Sequence, residues 1–206
     1  MTSLRLDPTP VGDLGRTALV VVDAQRGFEN PWWGPRDNPD CDRNIAALVR
    51  AWSRHRRPLV YVRHDSESPD SPLAAGSDGN RLKAYLTARP DLEVTKTVNS
   101  SFHGTPDLDG WLRAGDISRI VVCGITTNHC CETTARVGGN LGYDVLFALD
   151  ATHTFDRTAP DGSTVSADEL ARVTATNLHG EFATVVSTAD LVDDEDASAP
   201  ETPGIA

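Results

Sequence analysis

Three residues carry complementary reactive groups: a carboxylate at Asp23, an ammonium at Lys96 and a thiol at Cys130. Together they are the ingredients of nucleophilic acyl transfer, in which a base takes the thiol proton, the sulfur attacks a carbonyl, and the leaving group collects the proton. Singly, each has a blander reading. An Asp closing a strand is usually a turn residue, a Lys after a strand is usually solvated, and a free Cys packs as a small hydrophobe. Joint placement changes this, because a thiol needs the help its two neighbours can give. A free Cys titrates near about 8.5, and a helix N-terminus with a nearby cation brings it to roughly 3.5–7.5, so the thiol is expected to be acidic. Backbone N–H groups at the same helix start could hold the oxyanion. Only Lys83 and Lys96 among the 19 basic residues are lysines, which makes a lysine at this position less incidental.

The elements that must position these groups follow from periodicity. Residues 17–22 form a continuous apolar, β-branched run that reads as a buried parallel strand. Further strands are expected at 59–62, 92–96, 117–123, 143–149 and 183–187. Helices are expected from a cap at Asp42 through Ile45, Leu48, Val49 and Trp52, briefly at 82–88, around Leu108, Trp111 and Leu112, at 127–141, and at 166–178 behind the capping box Ser166-Ala-Asp-Glu169. Residues 30–39, with three prolines, and 66–80 read as loops, the first including Trp32 and Trp33. Strands alternating with helices predict an α/β fold, a three-layer α/β/α sandwich on a mostly parallel six-stranded sheet. In such a sheet ligands bind beyond the carboxyl ends of the strands. Asp23, Lys96 and Cys130 all fall on that rim.

With 206 residues the chain is expected to form one domain over 1–192, followed by an acidic, disordered tail at 193–206. The balance of 19 Lys+Arg against 30 Asp+Glu, a net charge of -11, argues against nucleic acid and anionic membranes as partners. No run approaches the ~18 apolar residues of a span, and the N-terminal residues lack a secretory apolar core. A cytoplasmic location is expected, with Cys41, Cys123, Cys130 and Cys131 as free thiols. The loop at 66–80 has no Gly-rich fingerprint after a strand, which argues against a phosphate or dinucleotide cradle.

Three segments carry a resemblance. Leu19-Val-Val-Val-Asp-Ala-Gln-Arg-Gly-Phe28, Lys96-Thr-Val-Asn-Ser-Ser-Phe-His-Gly-Thr105 and Val122-Cys-Gly-Ile-Thr-Thr-Asn-His-Cys-Cys-Glu-Thr-Thr-Ala-Arg136 resemble, in order and spacing, the isochorismatase-like cysteine hydrolases over about residues 17 to 190. The resemblance implies a Rossmann-like fold and a catalytic triad of Asp23, Lys96 and Cys130. It further implies cleavage of a C–N bond through a thioester, a cis peptide at Ile125–Thr126, and an oxyanion hole made by the Thr126 and Cys130 amides. It also implies a homo-oligomer, a dimer or tetramer. Cys131 falls where that family usually has Val, which suggests packing; Cys123 reads as core and Cys41 as an unpartnered loop thiol.

The chain departs from the family in two places. Nicotinamidases of the superfamily carry a D-x-H metal motif after the second strand, whereas this chain reads Arg63-His64-Asp65-Ser66, so no metal and no cofactor is expected. Gly138-Gly139 weakens a helix at about 1 kcal/mol per Gly relative to Ala, which close packing against the sheet or another subunit would explain. Phe28, Trp32, Trp33, His64 and His129 are candidate substrate-binding residues, with a subunit interface the even alternative for the tryptophans. The expected substrate is a small carboxamide, carbamoyl amine, ureide or lactam. Two rival readings stand beside it: a redox-sensing thiol protein using Cys130 and Cys131, which adjacent-residue strain disfavours, and a non-catalytic binding protein on the same fold.

Overall fold

The structure, a computed structural model, describes residue 6 and residues 8–193. All but Asp193 of the expected acidic tail therefore lies outside the described residues.

Six strands form one all-parallel sheet in the order β3-β2-β1-β4-β5-β8: β1 (Ala18–Val22), β2 (Leu59–His64), β3 (Leu92–Lys96), β4 (Arg119–Ile125), β5 (Asp144–His153) and β8 (Thr184–Val186). The intervening β6 (Arg157–Thr158) and β7 (Thr164–Val165) make a separate antiparallel hairpin that the sequence pattern did not disclose. Strand period sorts β1 between two cores. Leu19 and Val21 pack with Ile45, Leu48, Val49 and Trp52 of α1 (Cys41–Arg54) on one face. Val20 and Val22 pack on the other with Leu108 and Leu112 of α2 (Leu108–Ala114), Ala135 of α3 (Glu132–Asn140) and Leu178 of α4 (Ala167–Leu178). This is the expected α/β/α sandwich. Its strand order reverses between β1 and β4, where a doubly wound sheet opens a crevice.

Several local expectations are corrected. Asp40, not Asp42, stands at the N-cap of α1. Asp42 lies in the first turn and is drawn instead into a network with Lys83, Arg36 and Tyr85. Cys41 is no loop thiol but a fully buried first residue of α1. Residues 82–88 form turns rather than a helix, because Leu82 bridges to Gln25 and the Lys83 N–H is taken by the Ala24 carbonyl. The run 127–141 is a π-turn over Thr127–Cys131 followed by α3.

Two glycine sites explain how closely the layers meet. A Cβ on Gly138 would lie 3.2 Å from Ile120 and Val145 side chains of the sheet, and one on Gly139 would lie 2.6 Å from the Phe182 carbonyl oxygen. The double glycine thus serves contacts within this chain. Gly124, with φ 125°, brings β4 so near β1 that a Cβ there would collide with the Val22 carbonyl.

Candidate active site

β1 delivers Asp23 at its carboxyl end, with φ 50° turning the chain sharply off the sheet. The turn is held by Asp23 N–H donating to the Val62 carbonyl and Gln25 N–H donating to the Asp23 carbonyl. Lys96 ends β3, two strands away, in register with His64 of β2. Its long side chain runs over the end of β2 to reach Asp23. Cys130 comes from the other side of the reversal point, in the π-turn after β4, where Thr127 Oγ1 donates to Thr152 Oγ1 at 2.8 Å and Thr154 Oγ1 donates to Asn128 Oδ1 at 2.6 Å. Those bonds pin the turn to β5.

Lys96 Nζ is the hub. It donates to Asp23 Oδ2 at 2.6 Å, to His64 Nδ1 at 3.1 Å and to Cys130 Sγ at 3.4 Å. An ammonium has three N–H donors and no acceptor, so these bonds use it fully. They also fix His64, whose Nδ1 must accept, as the neutral tautomer with its proton on Nε2. Cys130 Sγ in turn faces Asn99 Oδ1 at 3.6 Å. Among the described residues Asp23 Oδ1 is buried with no hydrogen-bond partner, and such an atom is costly unless something else uses it.

Charge on the site follows from burial. Burial opposes the charge on Lys96, but Asp23 and Cys130 outweigh it and hold the ammonium above its ordinary pKa. Burial, joined by Lys96, pushes His64 below its usual value. For Cys130 the expectation of an acidic thiol is overturned: burial raises its pKa, Asp23 raises it further, and Lys96 only partly opposes them. The reason is neutrality. Lys96 already balances Asp23, so a thiolate would be an unbalanced buried charge.

One oxygen, nitrogen or sulfur each from Asp23, His64 and Cys130 lie within 4.8 Å of one another, a spacing a metal ion could use. Lys96 Nζ is bonded to all three of these side chains, and its positive charge opposes a second cation there.

The candidate substrate-binding residues divide. Phe28 and Trp33 join Phe155 in an aromatic group packed on Ile125 and Leu73, with Phe28 and Trp33 rings 5.0 Å apart and Trp33 Nε1 donating to the Gly27 carbonyl. Trp32 stacks edge-on against Trp33 and is 69% exposed. His64 touches the hub, and His129 lies in the π-turn beside Cys130. Thr126 precedes that turn across a cis Ile125–Thr126 peptide, and its carbonyl accepts from the His129 and Cys131 amides. Cys131 is fully buried among core side chains.

Sequence reasoning missed the supports. Gln25, wholly buried, clamps the His64 backbone, accepting from its N–H at 2.9 Å and donating to its carbonyl at 3.0 Å. Asn80 donates to the same carbonyl and to Asp65 Oδ1. Gln25 was in plain view two residues after Asp23, but only the fold reveals its partner.

The chain matches the family of the Isochorismatase domain over residues 17–190. It is 34% identical to the isochorismatase family protein YrdC of Bacillus subtilis over 180 residues, covering 87% of this chain and 96% of that protein. It is 39% identical to the ureidoacrylate amidohydrolase RutB of Methylobacterium radiotolerans, covering 71% of this chain and 70% of that protein. A crystal structure of a hydrolase of the isochorismatase family from Chromobacterium violaceum superposes with a TM-score of 0.83 at 36% identity, over 91% of this chain and 96% of that one. By sheet order, motif span and these likenesses together, the chain belongs to the isochorismatase family of hydrolases.

Proposed function

We propose that residues 1–192 act as one cysteine-dependent amidohydrolase domain that cleaves a C–N bond of a small amide, carbamoyl amine, ureide or lactam. The observation that carries the reading is the shared ammonium: Lys96 holds the Asp23 carboxylate and the Cys130 sulfur together, while Asp23 keeps one buried oxygen free. A base with an empty acceptor site beside a protonated nucleophile is the starting arrangement for acyl transfer.

The reaction follows from keeping the buried charge constant. As Cys130 Sγ bonds to the carbonyl carbon, its proton passes to Asp23, so negative charge moves from carboxylate to the carbonyl oxygen without a free thiolate at rest. The Thr126 and Cys130 amides receive that oxyanion. Collapse of the tetrahedral adduct breaks the C–N bond, and the nitrogen leaves with the proton from Asp23. Water enters, gives a proton to Asp23 and attacks the thioester; the acid departs and the proton returns to sulfur. Lys96 stays charged throughout and keeps Asp23 and Cys130 aligned. RutB, named for hydrolysing ureidoacrylate, supports an amide or ureide as the substrate class.

A panel of amides, ureides and lactams assayed for amine or ammonia release, with mass analysis of the protein during turnover, tests this. An acyl adduct on Cys130 and loss of turnover in Cys130→Ala are expected. Full activity in Cys130→Ala would overturn the scheme, and a reversible loss of two thiols on oxidation would favour the Cys130–Cys131 redox reading instead.

A further inference from the structure

Both lysines of the chain are buried, Lys96 bonded to Asp23 and Lys83 bonded to Asp42. Only Lys96 serves the reaction centre. Lys83 gives two of its three N–H donors to Asp42, at 2.9 Å to Oδ1 and 3.1 Å to Oδ2. That carboxylate is not its alone, because Arg36 Nη1 donates to the same Oδ2 at 2.9 Å. The third donor of Lys83 is left for a cleft of about 610 Å³ that its side chain lines, where Glu29 Oε1 stands 3.5 Å away.

Main-chain bonds hold the walls of this cleft in place. Arg26 N–H donates to the Arg81 carbonyl, Gly27 N–H to the Gly79 carbonyl and Lys83 N–H to the Ala24 carbonyl, tying the loop before Lys83 to the turn that follows Asp23. Gly27 and Gly79 both lie so near the Pro72 carbonyl that a Cβ on either would collide with it. Ser71 and Ser77 also line the cleft, and each hydroxyl oxygen already accepts a backbone N–H, from Leu73 and Asn80 respectively, so its own proton is left to donate. Charge is uneven here. Arg36 and Lys83 share Asp42, Arg26 and Arg81 share Asp78, and Glu29 is the one other carboxylate among the lining residues. The Glu29 side chain is 65% exposed against 3% for Lys83, so the cation is fixed while its counter-ion can leave at little cost.

We infer that this cleft is a second ligand site, for a small carboxylate, with Lys83 as its buried anchor and Glu29 as the stand-in that the ligand displaces. The stand-in names the chemistry, since the position it vacates is that of a carboxylate oxygen beside an ammonium. A volume of this size suits a small molecule, and the Arg26, Ser71 and Ser77 donors along the walls suit a charged one. The site draws on none of Asp23, Lys96 and Cys130, so it stands whether or not the chain cleaves amides.

Succinate is the probe, titrated calorimetrically into the wild-type protein, Glu29→Gln, Lys83→Met and Glu181→Gln, with sodium chloride at matched ionic strength as the blank. One saturable site is expected in the wild type. Glu29→Gln should bind about threefold more tightly, the worth of an ion pair with one exposed partner. Lys83→Met should bind at least about tenfold more weakly, the loss of a charge-assisted hydrogen bond. Glu181→Gln makes the same charge change at an exposed position away from the cleft and should leave the affinity unchanged. Equal tightening in Glu29→Gln and Glu181→Gln, an affinity unaltered in Lys83→Met, or no saturable heat in either the wild type or Glu29→Gln overturns the inference. Should Lys83→Met fail to fold, the comparison of Glu29→Gln with Glu181→Gln decides.

Discussion

Lys96 Nζ bonds Asp23 Oδ2 at 2.6 Å with neither side chain exposed to solvent. A buried pair of this kind is expensive to break from one side, because the survivor is left charged and desolvated. Lys96→Met should therefore lower unfolding free energy in urea by about 3–5 kcal/mol. The double variant Lys96→Met with Asp23→Asn should recover part of that loss. A double-variant loss equal to the sum of the Lys96→Met and Asp23→Asn losses would show that the pair is not coupled.

Asp23→Asn separates reactivity from catalysis. Removing the carboxylate takes away a charge that raises the Cys130 pKa while leaving Lys96, which lowers it. The pH at which iodoacetamide labels Cys130 should move down. Amide turnover should fall at least about 10²-fold for want of the base. A variant that labels faster and turns over more slowly is the expected signature, read from labelling and turnover rates across pH.

Gly124 and Gly142 both have positive φ, 125° and 90°, but differ in surroundings. A Cβ on Gly142 meets nothing within 4 Å, whereas one on Gly124 strikes the β1 backbone at Val22. Gly142→Ala should cost about 1–2 kcal/mol, the strain of the dihedral alone. Gly124→Ala should cost about 3 kcal/mol or more, since backbone must move. Urea unfolding of the two variants checks the order.

His153 is buried with both ring nitrogens unpartnered among the described residues, and burial, then Arg36, lowers its pKa to about 3. It is neutral in the folded chain, whereas the unfolded chain protonates it below about pH 6.5. Its stability contribution is therefore lost as pH falls from about 6.5 toward about 3, at up to about 1.4 kcal/mol per pH unit. Asp37, raised to about 6 by burial, acts the other way, gaining stability as pH falls through that value. His153→Phe keeps the contact with Phe155 and removes only the first effect. Its stability relative to wild type should rise between pH 7 and pH 4, and a difference independent of pH would refute the assignment.

The sheet was legible because each buried strand is a compact β-branched run, as in 18–22 and 119–125, and the rim was legible because parallel strands share one carboxyl end. Asp23, Lys96 and Cys130 could be placed there from spacing alone. The charge state of Cys130 could not, since it depends on the ammonium being already neutralised by Asp23, a fact of three dimensions. Gln25 escaped notice for a related reason. A lone Gln carries no periodic signal, and its meaning lies in the His64 backbone it clamps. Residues 82–88 misled because helical spacing of Leu82, Tyr85 and Leu86 is also satisfied by a turn docked on the α1 core.

The contact of Gly124 with Val22 has a bearing on how such a protein changes. Asp23 follows Val22 directly, and Cys130 follows Gly124 by six residues, so the gap between Asp23 and Cys130 is gauged by two closely approaching main chains. Main-chain spacing is indifferent to which side chains fill the loops at 30–39 and 66–80 or the β6–β7 hairpin. Those loops can be rewritten while the spacing of Asp23 and Cys130 is inherited intact.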